Sequence, residues 1–362
     1  MIYLSCPDIT DKEKRAVLEV LDSGMLASGP KVREFEERFA EYTDTSHAVC
    51  VSNGTTALHV SLLASGIKRD DKVLTTPFSF IATSNSILFC NAQPLFADIN
   101  PITFNLDPNK VEDILKKEQN IKAIILVHLY GFPCEMDAFS YLAEKYNVKI
   151  IEDSAQAVGA EYNNRKAGSF GIAGTFSFYA TKNMMTGEGG MITSSDESFV
   201  QKVRSLINHG RSGRFLHSEL GYNFRMTDIQ AALGIVQLSR LEEFITKRQQ
   251  NADFYDKNLA DLDWIKLPVT YLGHKHVYHQ YTVRVKSEIR DAFVKYMNDK
   301  GVNVAPIYPI SITQQPFYKA MDSFDCPQAV KISSQVVCLP VHTKLSQDDL
   351  EKIVKIIKGF KK

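Results

Sequence analysis

Short apolar runs alternate with segments of helical periodicity between residues 47 and 153, and this alternation constrains the fold more than any other feature of the sequence. Five runs have the length and composition of buried strands, and the four segments between them space their apolar residues as helices do. The strands are HAVCVS, KVLTTP, PLFADI, AIILVHLY and VKIIED, and the helices are TTALHVSLLASG, FIATSNSILFCNA, DPNKVEDILKK and MDAFSYLAEKYN. This pattern predicts an α/β fold in which helices cover both faces of a mostly parallel sheet.

Further helices precede this region and continue after it. Residues 8–24 and the residues after Pro30 have the apolar stripes and end signals of helices. Two more apolar runs, TFSFYA and GGMITSS, bring the expected sheet to seven strands. A helix is expected from Glu197, and residues 227–262 can form a long helix, straight or kinked, that leads out of the large domain.

The chain is expected to form a large domain over residues 1–240 and a small C-terminal α+β domain over residues 241–362. In the small domain the runs YHQYTVRV and VNVAPIY are predicted strands. Helices are predicted near residues 289–300 and from Gln347. A length of 362 residues is sufficient for two such cores.

The charge balance argues against two classes of partner. Lysine and arginine together number 42, as do aspartate and glutamate, so the net charge is zero. Proteins that bind nucleic acid or anionic membranes generally have a basic excess or a basic face, and the sequence shows neither. We therefore expect neither a nucleic-acid partner nor a membrane partner.

Targeting and cysteine patterns favour a cytoplasmic protein. The N-terminal sequence MIYLSCPDITDKEKR lacks the basic and apolar regions of a secretory signal, and the most apolar run, AIILV, is too short to cross a bilayer. The six cysteines are scattered without the close spacing of a disulfide framework or a zinc site. Reduced thiols in the cytoplasm are the expected state.

Ligands of such sheets bind beyond the carboxyl ends of the strands. That rule directs attention to residues 52–56, 76–80, 128–131 and 153–156, and Asp153 is the last residue of its run. Its carboxylate can project into a cleft, although an acid at a strand end more often caps the next turn. Lys182 follows the apolar run TFSFYA and precedes a glycine-rich turn. Apolar neighbours lower the pKa of an amine, as a Schiff-base lysine requires, but most lysines at strand ends are ordinary surface residues.

The segment SNGTTAL is a candidate phosphate site because it lies where a strand meets a helix. Its amide N–H groups and Thr55 or Thr56 can hold a phosphate at the helix N-terminus, or Asn53 or Thr55 can simply cap the helix. The sequence alone does not separate these alternatives. Phosphate-binding glycine patterns of the Rossmann and Walker types do not occur, nor does the nucleophile elbow of serine hydrolases.

Three closely spaced histidines, His274, His276 and His279, are the one feature that suggests a metal. The segment is predicted to be loop and strand, and no carboxylate or cysteine accompanies them. No metal site is predicted.

Six segments, in this order, resemble the DegT/StrS-type sugar aminotransferases, a branch of the fold-type I enzymes that use pyridoxal 5′-phosphate (PLP). They are SNGTTALHVSLLASGI, TTPFSFIATSNSIL, VHLYGFPCEMDAF, IIEDSAQAVGAEY, GTFSFYATKNMMTGEGGMI and NHGRSGRFLHSELGYNFRMTDIQAALG. The resemblance covers nearly the whole chain. It implies a fold-type I transferase with PLP as its cofactor.

The resemblance also implies roles for individual residues. Lys182 corresponds to the lysine that holds PLP as a Schiff base and moves a proton. Asp153 corresponds to the acid that pairs with the protonated pyridine nitrogen and keeps the ring an electron sink. Gln156 corresponds to the residue against the ring hydroxyl, and Phe80 to the aromatic residue that stacks on the ring.

The phosphate-holding positions of the family fall on Gly54, Thr55 and Ser177, with Thr56 a less certain addition. Asn223, in GYNFRM, resembles the asparagine that reaches the phosphate from the neighbouring subunit, which implies a homodimer with shared active sites. Arg225, in the same loop, is a candidate contact to an anionic group.

The implied reaction moves the amino group of L-glutamate to a nucleotide-linked keto-sugar, with a 4-keto-6-deoxyhexose preferred. Alternatives are a 3-keto-sugar, a fold-type I enzyme that acts on amino acids, and a non-catalytic regulator. Sugar dehydratases of the family replace the lysine with histidine, and Lys182 argues against them. The sequence departs from the family in IYPISITQQPFY, where Ser311 and Thr313 replace a proline and a histidine on the substrate side.

Overall fold

A computed structural model of the chain describes residues 1–321 and 324–361. Its main sheet has seven strands in the order β1-β7-β6-β5-β4-β2-β3. The strands are β1 (His47–Val51), β2 (Lys72–Thr75), β3 (Gln93–Phe96), β4 (Ile121–Val127), β5 (Lys149–Asp153), β6 (Ala173–Ser177) and β7 (Gly190–Ser194). Only β7 runs against its neighbours, pairing antiparallel with β1 and β6. The predicted seven-stranded, mostly parallel sheet is confirmed.

Thirteen helices are found in the described residues. They are α1 (Asp11–Ser23), α2 (Pro30–Thr43), α3 (Gly54–Ala64), α4 (Ala82–Phe89), α5 (Pro108–Leu115), α6 (Met136–Tyr146), α7 (Glu197–Leu206), α8 (Asp228–Ser239), α9 (Leu241–Leu259), α10 (Ser287–Asp299), α11 (Pro316–Lys319), α12 (Pro327–Ser333) and α13 (Gln347–Lys358). Short 3-10 turns cover Leu129–Gly131 and Ile312–Gln314. All the helices predicted from the sequence are present.

Helices cover both faces of the main sheet because neighbouring strand residues point to opposite sides. Ile125 and Ile151 belong to a core cluster that includes apolar residues of α3 and α7. Ile124 and Ile150, one position away in each strand, belong to a second cluster with residues of α5 and α6. Burial on both faces explains why the sequence of β4 is almost continuously apolar.

The long helical segment breaks at Arg240, between α8 and α9. The guanidinium of Arg240 donates to Glu13 at 2.8 Å and to Asp8 at 3.1 Å, which fixes the break against the start of α1. Thr10, not Asp8, caps α1, since its side chain accepts from the amide of Lys12. We propose that the large domain ends at this break, at residue 240.

The small C-terminal unit is built around an antiparallel pair, β8 (Tyr281–Arg284) and β9 (Val336–Leu339), packed with α9, α10 and α13. The prediction of a strand over VNVAPIY was wrong. Within that run only isolated bridges form, Ile2 with Val302 and Ala305 with Cys338. Pro306 has no N–H group, so a continuous ladder cannot pass through this run.

Three two-residue strands, Glu161–Tyr162, Arg165–Lys166 and His274–Lys275, form a separate small sheet beside the main one. All six cysteines are unpaired. In the described part of the chain no helix combines the length and apolar character needed to span a bilayer.

Candidate active site

Asp153 is the last residue of β5, at the sheet edge that the strand-end rule marks. Its side chain is buried, with 5% of the residue exposed. The Thr83 hydroxyl of α4 donates to Asp153 Oδ2 at 2.8 Å, and the Ala155 amide donates to Oδ1 at 3.2 Å. Burial raises the pKa of Asp153, and the hydrogen bonds from Thr83 and Ala155 and the charge of Lys182 oppose that rise.

The surroundings of Asp153 suit a positively charged ligand atom. Both of its hydrogen-bond donors are neutral, and Lys182 acts on it electrostatically without forming a direct ion pair with it. A buried carboxylate without a counter-charge is costly, and a cation placed beside it restores the balance. A protonated pyridine nitrogen is a group of that kind.

Lys182 lies in the turn that follows β6, the strand next to β5. The Lys182 amide donates to the Tyr179 carbonyl at 2.9 Å, and Asp153 is paired with Thr175 of β6. Part of the residue remains exposed, while its amine is buried. Burial of the amine lowers the pKa of Lys182 to about 8, against the raising effect of Asp153. A pKa of about 8 leaves roughly a tenth of this amine uncharged at pH 7, far more than for an ordinary lysine, and the uncharged form is the nucleophile.

The N-terminus of α3 and the end of β6 form a narrow cradle. A Cβ atom on Gly54 would lie 2.8 Å from the Ser177 Cβ, so only glycine allows this close approach. The amides of Gly54 and Thr55 are in the first helical turn, where they have no acceptor within the helix. Together with the Ser177 hydroxyl and the helix dipole they fit a phosphate group.

Thr56 serves the helix cap. Its amide donates to Asn53 Oδ1 at 2.9 Å, and its hydroxyl donates to the Asn53 carbonyl at 2.8 Å. The alternative of an Asn53 cap is thus confirmed, while Gly54 and Thr55 remain free to bind. Thr56 is the least suited of the predicted phosphate ligands.

Phe80 and Gln156 lie on either side of Tyr308. Phe80 is 58% exposed, and its ring is 6.3 Å from that of Tyr308 at an angle of 34°. Gln156 Oε1 accepts from the Tyr130 amide at 2.8 Å, while Gln156 Nε2 donates to the Tyr308 hydroxyl at 3.1 Å. The exposed Phe80 ring is available to stack on a planar ligand.

Two residues of this site escaped the sequence analysis. Thr83 orients Asp153, and it lies in the same TTPFSFIATSNSIL segment as Phe80, so its hydroxyl could have been noted. Tyr308 contacts Phe80 and Gln156 from the small C-terminal unit, and no local pattern marks it. Ser311 and Thr313, which were expected on the substrate side, are buried and their hydroxyls bond to each other at 3.0 Å.

The loop that contains Asn223 runs along the cradle. The Ser52 amide donates to the Phe224 carbonyl at 2.8 Å. Asn223 is exposed, and its side chain makes no hydrogen bond within the described residues. Arg225 is also exposed and donates to Asn208. The structure brings the loop to the rim of the site and leaves the Asn223 amide free to act elsewhere.

The three histidines have separate surroundings. His274 stacks on Phe132 with ring centroids 4.8 Å apart, and His276 stacks on Tyr278 at 3.9 Å. His279 contacts Asn183. Within the described residues, no three histidine, cysteine or acidic side chains are grouped so that they could hold a metal ion.

Known proteins resemble the chain over nearly its whole length. The model of the DegT/DnrJ/EryC1/StrS aminotransferase family matches residues 7–358. GDP-perosamine synthase of Caulobacter vibrioides is 37% identical over 361 residues, 98% of this chain and 96% of that protein. The UDP-N-acetyl-3-dehydro-alpha-D-glucosamine 3-aminotransferase of Acidithiobacillus ferrooxidans is 33% identical over 351 residues, 97% and 94% of the two chains. The solved PLP form of Spr1654 from Streptococcus pneumoniae has a TM-score of 0.94 at 29% identity, covering 99% and 97%.

Proposed function

Because the chain belongs to the DegT/DnrJ/EryC1/StrS aminotransferase family, whose enzymes use PLP, we propose that it transfers the amino group of L-glutamate to a nucleotide-linked 4-keto-6-deoxyhexose. The observation that carries this proposal is the placement of Asp153 at the end of β5 and of Lys182 in the turn after the neighbouring strand β6. Lys182 supplies an amine whose pKa is lowered to about 8, and Asp153 a buried carboxylate that forms no direct ion pair within the described residues. An amino-transfer site built on PLP needs both groups.

PLP supplies an electron sink that makes a carbon–hydrogen bond beside nitrogen acidic. Asp153 would keep the ring nitrogen protonated, since a fixed carboxylate in a buried site favours a cation. Thr83 holds Asp153 Oδ2 and the Ala155 amide holds Oδ1, so the carboxylate cannot turn away from the cleft. This preorganisation lets the charge act without rearrangement during the reaction.

Lys182 would serve as both attachment point and proton carrier. Its amine, whose pKa is lowered to about 8, would hold the cofactor covalently through the aldehyde carbon. The Lys182 Nζ would also accept the proton that leaves the amine-bearing carbon of the donor, and it would deliver a proton to the acceptor carbon that gains the amine. A base whose pKa lies near the working pH is suited to both directions.

The remaining residues would orient the cofactor. Gly54, Thr55 and Ser177 would hold the phosphate at the start of α3, and Thr56 would act through the helix cap. Phe80 would stack on the ring, and Gln156 would donate its free amide hydrogen to the ring hydroxyl while its other contacts to Tyr130 and Tyr308 persist. These contacts would hold the ring where Asp153 and Lys182 can both act on it.

The position of the keto group is the finer part of the proposal. Of the two relatives compared, the one with the higher identity is a GDP-perosamine synthase. The other aminates C3. Ser311 and Thr313 are buried, so their hydroxyls would not reach a substrate. Tyr308 contacts Phe80, and substrate preference would therefore depend on Tyr308 rather than on those two hydroxyls.

A panel of keto-sugar nucleotides tests the substrate directly. With L-glutamate as donor, we expect amine formation with a GDP- or dTDP-linked 4-keto-6-deoxyhexose at a rate at least about tenfold above that with a UDP-linked 3-keto-sugar, since a misplaced carbonyl loses alignment with Lys182. Product is measured by mass spectrometry, with 2-oxoglutarate measured in parallel. Faster amination at C3 would reassign the position, and 2-oxoglutarate release without any sugar amine would contradict the sugar reaction.

We further propose that the enzyme is a homodimer whose active sites are shared. Asn223 is exposed at the rim of the cradle and makes no hydrogen bond within the described residues, so its amide is available to a second subunit. In an isologous dimer each subunit can place the same loop into the site of the other. The phosphate would then be held by Gly54, Thr55 and Ser177 of one subunit and by Asn223 of its partner.

Mixing two inactive variants tests this arrangement. Lys182→Ala and Asn223→Ala subunits, unfolded and refolded together, are expected to regain about one quarter of wild-type activity, because half the dimers are mixed and each mixed dimer has one site with both native residues. If Asn223 serves its own subunit, no mixed dimer contains an intact site and activity does not return. Sedimentation of the mixture checks that dimers form.

The reaction would take place in the cytoplasm, as a step in the synthesis of amino sugars for surface polysaccharides. The unpaired state of all six cysteines supports a reducing compartment. The balanced charge of the chain gives no basis for a nucleic-acid or membrane partner.

A further inference from the structure

Residues 277–280 form a segment beneath the cleft, just before β8. The Val277 amide donates to the Gly131 carbonyl at 3.1 Å, and the Gln280 amide donates to the Tyr130 carbonyl at 3.3 Å. Tyr130 in turn donates its amide to Gln156. The segment is therefore attached to one wall of the site, although none of its residues belongs to the reaction described above.

The same segment also holds the residue that follows Lys182. Asn183 is 7% exposed, and its Nδ2 donates to the Val277 carbonyl at 3.1 Å. With the NH2 group committed there, Asn183 Oδ1 faces His279 Nδ1 at 3.2 Å as an acceptor. His279 Nδ1 must then carry the hydrogen, and the ring is a neutral donor.

His279 is fixed from its other side by Arg248 of α9. The guanidinium of Arg248 donates to the carbonyls of Tyr278 and His279 at 3.1 Å and 3.3 Å. Burial, followed by the charges of Lys182 and Arg248, holds the pKa of His279 well below its ordinary value. Lys182 and Arg248 are the charged groups that lower the pKa of His279. Asp153 is the charged group that raises the pKa of Lys182.

We propose that His279 is a positioning residue for Lys182: its Nδ1–H holds the Asn183 side chain and so fixes the turn that presents the Lys182 amine to the cleft. This role rests on the proposed function, in which Lys182 binds PLP and moves the proton. Loss of the donor would leave Asn183 Oδ1 buried without a partner. The turn would then shift toward water, and the Lys182 amine would become better hydrated and more basic.

Two substitutions of His279 separate the contact from the bulk of the ring. His279→Asn places an amide N–H near the position of Nδ1 and can keep the bond to Asn183. His279→Gln carries its amide one bond further out, near the position of Nε2. His274→Gln is the matched control, because His274 is on the same stretch of chain but stacks on Phe132 and does not contact Asn183.

The measurement is the pH dependence of acetylation of Lys182 in the full-length protein freed of PLP, quantified by mass spectrometry of the peptide. The wild type is expected to be half-reactive near pH 8. His279→Gln should shift this midpoint upward by roughly one pH unit, as the amine regains water. His279→Asn and His274→Gln should keep the wild-type midpoint, and the kcat profile of the PLP-loaded His279→Gln enzyme should shift in the same direction.

An unchanged pH midpoint of Lys182 acetylation in His279→Gln overturns the proposal. A midpoint shift in His279→Asn equal to that in His279→Gln also overturns it, because the N–H donor at the Nδ1 position would then have no effect. If His279→Gln does not fold, Asn183→Ala tests the contact from its other side and should give the same shift, with an unchanged midpoint counting against the proposal. Acetylation requires neither PLP nor a sugar. A wild-type enzyme that aminates no keto-sugar would therefore contradict the proposed substrate, and the acetylation midpoints would still test the role of His279.

Discussion

Lys182→Ala is expected to abolish amino transfer and to remove the visible absorbance of bound PLP. Alanine can neither bond to the aldehyde carbon nor carry the proton, and proton transfer by a positioned side chain alone contributes about 10²- to 10⁴-fold. Because this one substitution removes both the covalent attachment and the proton transfer, turnover should fall by a factor on the order of 10⁴ or more. The fold should be retained, since the Lys182 side chain forms no hydrogen bond or direct ion pair within the described residues.

The two losses are measured on the same sample. Absorbance near the PLP band is recorded after gel filtration, and turnover is followed by 2-oxoglutarate release. Lys295→Ala is the control, because the side chain of Lys295 is 76% exposed and pairs with Asp299 on the surface of α10. A Lys182→Ala protein that keeps both its colour and its turnover would remove Lys182 from the reaction.

The sequence contained enough information to predict the main sheet and its helices. Most of the seven strands are short apolar runs, and burial on both faces makes such runs nearly continuous, so hydropathy indicates where they lie. Asp153 and Lys182 could be selected as candidates because one ends a strand and the other follows one, and the carboxyl ends of parallel strands meet at one edge. The resemblance to a known family then favoured a cofactor-binding role for both over an ordinary cap and an ordinary surface lysine.

The supporting contacts could not be predicted because they join distant parts of the chain. Thr83 and Asp153 are 70 positions apart, Asn183 and His279 are 96 apart, and Gln156 and Tyr308 are 152 apart. No local pattern encodes such pairs, since they depend on how the small C-terminal unit is placed on the main sheet. The prediction of a strand over VNVAPIY was wrong for a local reason. The apolar pattern of this run indicated a strand, but Pro306 lacks the N–H group that a continuous ladder requires.

Asp153→Asn is expected to lower kcat by roughly 10²- to 10³-fold while leaving PLP covalently attached, a loss of the size seen when one preorganised polar group is removed from a reacting centre. The amide has nearly the shape of the carboxylate: its oxygen can still accept from the Ala155 amide, and its NH2 group can donate to the Thr83 hydroxyl oxygen. What is lost is the negative charge. Without that charge the ring nitrogen would no longer be held protonated, and the cofactor would become a weaker electron sink.

Thr83→Val separates the charge of Asp153 from its orientation. This variant keeps the carboxylate and the volume of the side chain but removes the hydrogen bond to Oδ2. The hydrogen bond from Thr83 lowers the pKa of Asp153, so its loss should raise that pKa further. The fall in kcat should be smaller than in Asp153→Asn. It should be greatest at low pH, because the carboxyl group is protonated there. The comparison is made by kcat–pH profiles, with PLP absorbance as the check on cofactor content. An equal loss of kcat at every pH in the two variants would mean that Asp153 contributes through its position and not through its charge. Full activity in Asp153→Asn would mean that Asp153 does not act on the ring nitrogen.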